Sequence, residues 1–195
     1  MICILINSFL TIELLRKENV MFNLRDIYIL SIVNALILSV ASVYGIRISY
    51  ILMLIWISYI AFVDYVTCYV YDAMEYYGVL IVIMGIVDLF LYNKIESIQT
   101  VLLVRLIIVI IFAVTERAGC YGRGDTEIFA VLSVVYHNPC YIILLFGMSV
   151  GLFVLRYSGE IIGNRGKLKS QKPFIPSIYM ANLLLTLHLI ITSQS

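Results

Sequence analysis

Six apolar runs of near-membrane-spanning length divide this chain and constrain its fold more than any other feature. They cover about residues 27–44, 47–63, 77–92, 99–115, 140–155 and 174–192, and a shorter run covers 126–136. Because 63% of the residues are hydrophobic and only 13% are charged, a soluble domain would have too little polar surface to cover itself. The sequence therefore predicts an integral membrane protein, an all-α polytopic helix bundle with six to seven transmembrane helices.

The first 15 residues form a further, interrupted apolar stretch. Asn7 and Glu13 interrupt it, and Arg16 and Lys17 follow it, whereas a cleaved signal peptide carries its positive charge before the apolar stretch. We expect a retained N-terminal helix that dips into the membrane. The chain shows no linker-like tract, low-complexity segment or internal repeat, so residues 1–195 are predicted to form a single membrane domain.

The basic residues predict which way the spans are oriented. When the runs are threaded alternately through a bilayer, ten of the thirteen Lys and Arg residues fall on one side. These are Arg16, Lys17, Arg25, Arg117, Arg123, Arg156, Arg165, Lys167, Lys169 and Lys172. By the positive-inside rule that side is cytoplasmic. We therefore expect a multi-pass plasma-membrane protein in which residues 64–75 form an acidic cytoplasmic loop.

Cysteine and histidine spacing predicts no metal site. Cys3, Cys68, Cys120 and Cys140 form no Cys-x-x-Cys pair, and the chain has only two histidines, whereas zinc sites use clustered ligands. We expect no metal and no cofactor. The net charge of +1 argues against a nucleic-acid partner, and the apolar spans make membrane lipid an expected one.

Two aspartates are predicted to meet at the cytoplasmic membrane face. Asp64 ends one apolar run, and Asp125 ends a Gly-Arg-Gly-Asp string at residues 122–125, just before another run. A carboxylate kept at membrane depth is costly and indicates function. Two adjoining carboxylates share a proton, so that one acts as general base on water and the other as general acid toward a scissile carbonyl. This pattern predicts an aspartic endopeptidase with Asp64 and Asp125 as its catalytic pair.

The residues around Asp125 also admit a purely structural interpretation. Gly122 and Gly124 lack a Cβ, which permits an unusual backbone path and the close approach of a substrate strand. Asp125 is expected in the first turn of the next helix, where free amides stabilise an anion. Aspartate is equally a common N-cap, and Asp64 can be an ordinary carboxylate that faces water at a helix end.

Three segments resemble the signatures of the type IV prepilin peptidases, which are GxGD intramembrane aspartic proteases. Asp64 and Asp72 have the eight-residue spacing of the family's first signature. The Gly-Arg-Gly-Asp string is similar to the Gly-x-Gly-Asp signature that carries the family's second catalytic aspartate. The Pro-Phe-Ile-Pro string at residues 173–176 is similar to the family's Pro-Phe-Gly-Pro segment. The resemblance covers residues 47–192.

The resemblance implies an endopeptidase that cuts prepilin- or preflagellin-like precursors at the cytoplasmic face, between a short basic leader and a hydrophobic N-terminal helix. Asp64 and Asp125 would be catalytic. The substrate-positioning or motif residues would be Asp72, Gly122, Gly124, Glu127, Pro173 and Pro176. The chain lacks the insert with two Cys-x-x-Cys pairs found in long family members, so methyltransferase activity is not expected. The oligomeric state stays open, and a homo-oligomer is compatible with the sequence.

The chain departs from the family pattern at three positions. Tyr71 replaces a Pro, Glu127 replaces a Lys and Ile175 replaces a Gly. Glu127 brings negative charge near the acid pair, which would raise the pKa of the pair unless the side chain points away. These departures keep open the alternative of an inactive, peptidase-like assembly scaffold.

Two more charges, Asp88 and Arg105, lie inside consecutive apolar runs. Their positions are nearly symmetric about the connecting loop, so we expect them to form a structural ion pair. A second alternative uses them differently. In a proton-coupled small membrane transporter, Asp64, Asp88, Arg105 and Asp125 would form a relay.

Overall fold

The computed structural model describes residues 2–44, 46–70, 72–92, 95–117, 122–136, 138–163 and 172–193. Within these ranges the chain is helical apart from short connections, and no strand occurs. The helices are α1 (Ile2–Lys17), α2 (Leu24–Val43), α3 (Ile48–Thr67), α4 (Asp72–Tyr92), α5 (Ile95–Arg117), α6 (Arg123–Val135), α7 (Pro139–Gly163) and α8 (Ile175–Ser193). The predicted all-α class is thus confirmed for the described residues.

Among the described residues, three helices are long and apolar enough to cross a membrane, namely α2, α3 and Cys140–Gly163 within α7. Two shorter apolar stretches, Tyr76–Leu91 in α4 and Ile175–Ile191 in α8, accompany them. The three long helices are consistent with a membrane protein. Six to seven transmembrane helices stay a prediction.

Large apolar side chains are exposed along the outward faces of α2, α5 and α7. They include Ile32, Leu36, Leu103, Leu106, Ile143 and Leu155. Soluble monomers rarely expose continuous apolar surface of this extent. Lipid hydrocarbon is the environment that such faces fit, which agrees with the hydropathy of the sequence.

Helix α3 lies at the centre of the bundle and positions Asp64. It packs against α1, α2, α4, α6 and α8, and Met53, Trp56 and Ile60 on it are buried. A helix that is apolar all round suits such a surrounded position. The indole N–H of Trp56 donates to the Met74 carbonyl at 2.8 Å, which ties α4 to the core.

Helix α1 belongs to the bundle. It packs against α2 and α3 and buries Ile4 and Leu15. The Tyr59 hydroxyl of α3 lies 2.7 Å from Ser8 Oγ and 3.0 Å from Ser31 Oγ. These hydroxyl contacts join the first three helices.

The prediction that residues 64–75 form an acidic loop is wrong. Helix α3 continues to Thr67 and α4 begins at Asp72, so the connection is short. The physical reason is that acidic side chains are favourable in the first turn of a helix, where the free amides carry partial positive charge. Asp72 occupies that position in α4 rather than a loop.

The predicted ion pair between Asp88 and Arg105 is also wrong, since these side chains are not within ion-pair distance of each other. The Asp88 carboxylate accepts a hydrogen bond from the Ser49 hydroxyl of α3. Arg105 donates to the Tyr136 carbonyl, which follows α6, at 3.2 Å. Helix α6 packs against both α4 and α5, and the rotation of each helix turns its charge toward another neighbour.

Candidate active site

Asp64 lies in the last turn of α3, and the local sequence ends the helix just beyond it. Cys68 adopts the left-handed conformation at φ 54°, and its N–H donates to the Asp64 carbonyl at 2.8 Å. The Thr67 hydroxyl donates to the Val63 carbonyl at 2.8 Å and accepts from the Tyr69 N–H at 3.1 Å. A left-handed residue at a helix C-terminus is a common stop signal.

The start of α8 holds the Asp64 carboxylate. Asp64 is only 6% exposed, and the Ile175 N–H donates to its Oδ2 at 3.0 Å. Ile175 is the first residue of α8, so its N–H has no partner within the helix and is free for Asp64. Pro173 is buried just before the helix and Pro176 lies in its first turn, positions that suit a residue with fixed φ and no N–H.

The donor to Asp64 does not depend on the side chain of residue 175. The backbone N–H, and not the side chain, makes the hydrogen bond to Asp64. The Ile175 side chain is 1% exposed and belongs to the hydrophobic core. Ile175 therefore supplies the donor to Asp64 with its backbone and a core contact with its side chain.

Asp125 lies in the first turn of α6, as predicted. The Gly122 N–H donates to its Oδ2 at 3.2 Å, so the capping interaction is present. Burial raises the pKa of Asp125 to about 7; the Gly122 hydrogen bond acts in the opposite direction, and the negative charge of Asp64 adds to the rise. The Asp64 carboxylate is thus close enough to influence the ionisation of Asp125.

The two glycines of the string have different roles. Gly122 has φ −79° and ψ 160°, a conformation that any residue can adopt. The prediction of an unusual backbone path is therefore wrong at Gly122. A Cβ added to Gly124 would lie 2.8 Å from Val70 Cγ2 and 2.9 Å from Val70 Cβ. Gly124 therefore lets α6 begin in close contact with residues 68–70, which brings Asp125 to the end of α3.

Asp64 and Asp125 line one cavity of about 430 Å³, which we call the polar cavity. Asp72 lines it as well and is exposed at the start of α4. The remaining lining residues are Cys68, Tyr69, Val70, Gly122, Arg123, Gly124, Lys172 and Phe174. The structure thus brings both predicted catalytic residues and Asp72 to one place.

A larger cavity of about 680 Å³ reaches Asp125 from the exposed faces of α5 and α7, and we call it the apolar groove. Its walls include Ile108, Ile111, Phe112, Ile142, Ile143, Phe146, Val150 and Phe153. Four residues line both cavities, namely Gly122, Asp125, Lys172 and Phe174. Asp125 therefore lies where an apolar groove meets a polar cavity.

Glu127 does not line either cavity. Its Oε1 accepts a hydrogen bond from Arg123 Nε at 2.7 Å, one helical turn away. The negative charge of Glu127 is therefore compensated by Arg123. Tyr71, the remaining departure from the family pattern, lies outside the described residues.

Lys172, Phe174 and Val70 are site residues that sequence reasoning missed. Arg165, Lys167 and Lys169 lie outside the described residues, and the sequence predicts for Lys172 only that it is one of the basic residues on the cytoplasmic side. Its Nζ instead lies 2.8 Å from Glu160 Oε2 of α7. Phe174 lies inside the Pro-Phe-Ile-Pro string at residues 173–176, and that string is the sequence signal that could have identified it. Nothing in the sequence singles out Val70.

Two carboxylates that share a cavity, and that each accept a hydrogen bond from a backbone N–H, can share a proton and polarise a water between them.

Comparison with protein-family models, with curated proteins and with solved structures finds no match to this chain. The case for a function therefore depends on the residues and their geometry.

Proposed function

We propose that this protein is an intramembrane aspartic endopeptidase that removes the leader peptide of type IV pilin-like precursors at the cytoplasmic face of the plasma membrane. One observation carries the proposal: Asp64 and Asp125 line the same polar cavity. Each of them is held by a backbone N–H, from Ile175 and Gly122 respectively. The resemblance of the surrounding motifs to the prepilin peptidases supports the choice of substrate.

The chemistry requires one protonated and one ionised carboxyl group at the start. The ionised group takes a proton from water as the water oxygen bonds to the scissile carbonyl carbon, and the protonated group gives its proton to the carbonyl oxygen. The tetrahedral intermediate then collapses, the C–N bond breaks, and a proton passes to the leaving amine. Asp125 suits this cycle, because its pKa of about 7 allows it to gain and lose a proton near neutral pH.

The two cavities fit a precursor with a polar leader and an apolar helix. The apolar groove opens on the outward faces of α5 and α7, so a hydrophobic helix can enter it from lipid. The polar cavity carries Asp64, Asp72 and Asp125, which complement a basic leader. The two basic side chains that line the polar cavity are each paired with a carboxylate, Arg123 with Glu127 and Lys172 with Glu160. The scissile bond would lie at the junction, beside Asp125.

This proposal includes the finer topology that the sequence predicts. Six to seven helices cross the plasma membrane, and the basic residues before α2, α6 and α8 face the cytoplasm. The polar cavity then opens to the cytoplasm, where the leader of a newly inserted precursor is located.

Co-expression of the chain with a pilin-like precursor tests the proposal. We expect the native chain to shorten the precursor, and Asp64→Asn and Asp125→Asn each to abolish this at equal membrane expression. Asp26→Asn is the matched control, because Asp26 is exposed in the first turn of α2 and far along the chain from the site motifs. Cleavage that survives both substitutions would rule out the two-aspartate mechanism.

A further inference from the structure

Lys172 lies where the apolar groove and the polar cavity meet. Lys172 and Phe174 line both cavities together with Gly122 and Asp125. A little further along the chain, the Ile175 N–H holds the Asp64 carboxylate. Residues 172–175, which we call the pre-α8 segment, therefore connect the junction of the cavities to one member of the aspartate pair.

The Lys172 side chain attaches the pre-α8 segment to α7. Its Nζ lies 2.8 Å from Glu160 Oε2, and the two side chains are only 22% and 23% exposed. The Nζ atom also lies 5.6 Å from the centroid of the Tyr157 ring. Fully exposed ion pairs contribute little to stability. A pair that is largely shielded from water and held in one geometry stabilises the contact more.

Phe174 gives the pre-α8 segment a second attachment to α7. Its ring packs edge-on against Phe153, with centroids 5.3 Å apart and an interplanar angle of 76°. The segment is thus attached to α7 through Lys172 and Phe174, and to α3 through the hydrogen bond from Ile175 to Asp64. The Phe174 carbonyl also accepts hydrogen bonds from the Ser177 and Ile178 N–H groups at 2.9 and 3.4 Å. The contacts with α7 and α3 therefore act together with the first turn of α8 to position the segment.

We propose that Lys172 is a positioning residue, and that its ion pair with Glu160 holds the pre-α8 segment where the Ile175 N–H orients and shelters the Asp64 carboxylate. An effect of Lys172 on the catalytic rate rests on the proposed function, whereas its effect on the position and exposure of Asp64 does not. Without the pair, the segment shifts and Asp64 becomes more accessible to water and less well aligned.

Carboxyl labelling of the purified, full-length chain tests the effect on Asp64 without any substrate. A water-soluble carbodiimide and an amine are added, and labelling of Asp64 is measured by mass spectrometry relative to Asp26, an exposed residue of α2, in the same sample. In Lys172→Met and in Glu160→Gln we expect Asp64 labelling to rise about fivefold, the scale of one ion pair. The reversed pair, Lys172→Glu with Glu160→Lys, should return it toward the native level. Lys17→Met, at an exposed lysine of α1, is the matched control.

Kinetics with a pilin-like precursor separate positioning from a merely structural role. We expect each single substitution to lower kcat about fivefold with little change in KM, and the reversed pair and Lys172→Arg to recover most of it. If Asp64 labelling is unchanged in both single variants, the proposal is overturned. If labelling changes as expected but the native chain cuts no precursor, the positioning role stands and the proposed function fails.

Discussion

The protonation of Asp125 depends in part on Asp64, and this dependence can be measured without a substrate. Burial raises the pKa of Asp125 to about 7, and the negative charge of Asp64 adds to that rise. Asp64→Asn removes the charge, so Asp125 ionises more easily and its pKa falls. Burial remains, which keeps the pKa above its ordinary range. Titration of 13C-labelled aspartate carboxyls by NMR in detergent micelles reports the shift.

Asp72→Asn provides the comparison for this titration. Asp72 is exposed at the start of α4, where water screens its charge, so its removal should leave the pKa of Asp125 nearly unchanged. An Asp125 pKa that does not fall in Asp64→Asn would show that the two carboxylates do not share a site.

The two glycines of the Gly-Arg-Gly-Asp string should differ sharply in their tolerance of alanine. At Gly124 an added Cβ would lie 2.8 Å from Val70 Cγ2, so Gly124→Ala must displace either residues 68–70 or the start of α6. At Gly122 the nearest atom is Asp125 Oδ2 at 3.5 Å, an ordinary contact. We expect Gly124→Ala to lower precursor cleavage at least about tenfold and Gly122→Ala to change it less than about threefold, by analogy with other overpacked sites.

A compensating change at Val70 checks that close packing is the cause. In the Gly124→Ala background, Val70→Gly removes both clashing atoms, whereas Val70→Ala removes the clashing Cγ2 but leaves the Cβ that lies 2.9 Å away. Cleavage should therefore recover most with Val70→Gly and partly with Val70→Ala. Equal losses at Gly122 and Gly124, or no recovery at all, would contradict this interpretation.

At the residue scale the sequence could identify the motif residues but not their neighbours. The motif spacing predicted that Asp64 and Asp125 lie together, and they line one cavity. Lys172 and Val70 depend on contacts between segments distant in the chain. No local pattern encodes such contacts.

At the scale of helices, Gly78 of α4 lies in close contact with Trp56 of α3. A Cβ there would lie 2.8 Å from Trp56 Cζ2 and 3.2 Å from Val131 Cγ2. Trp56 cannot easily move, since it is buried and its indole N–H is bonded to the Met74 carbonyl. We expect Gly78→Ala to destabilise the fold by about 1–3 kcal/mol, seen as a lower melting temperature in detergent.

Gly147→Ala is the matched control within α7. A Cβ at Gly147 meets no atom within 4 Å, so the substitution should leave the melting temperature unchanged or raise it through the better helix propensity of alanine. A Gly78→Ala chain as stable as the native one would mean that α3 and α4 are not packed as closely as described.

Hydropathy predicted the helices but not their ends or their rotation. The run predicted over residues 140–155 becomes α7, which continues to Gly163 and carries Glu160 toward Lys172. Polar residues end an apolar run without ending a helix. The nearly symmetric positions of Asp88 and Arg105 about the connecting loop suggest a pair, but a position along a helix says nothing about the direction in which the side chain points. Their partners, Ser49 and Tyr136, are set by how α4 and α5 pack against α3 and α6.

At the scale of the whole molecule, the apolar groove should be the entry route for the substrate helix. Ile143 lines the groove and is 68% exposed, whereas Leu155, also on α7, is 71% exposed and lies outside the groove. Ile143→Trp would fill part of the groove, and Leu155→Trp would only face lipid. We expect Ile143→Trp to raise KM for a membrane-embedded precursor several-fold while Leu155→Trp leaves it unchanged.

A short peptide that contains the cut site but lacks the hydrophobic helix tests the specificity of this effect. Its cleavage, being independent of the groove, should be the same in the native chain and in Ile143→Trp. Equal KM values for the full precursor in the two Trp variants would contradict entry through the groove.

The most direct test of the central claim is hydrolysis by the purified chain in lipid vesicles, with a pilin-like precursor in the same membrane. The native chain and Asp26→Asn should release a leader whose mass places the cut just before the hydrophobic helix, and Asp64→Asn and Asp125→Asn should release none. Release of the leader by both aspartate variants, or cutting at unrelated positions, would contradict a catalytic pair formed by Asp64 and Asp125.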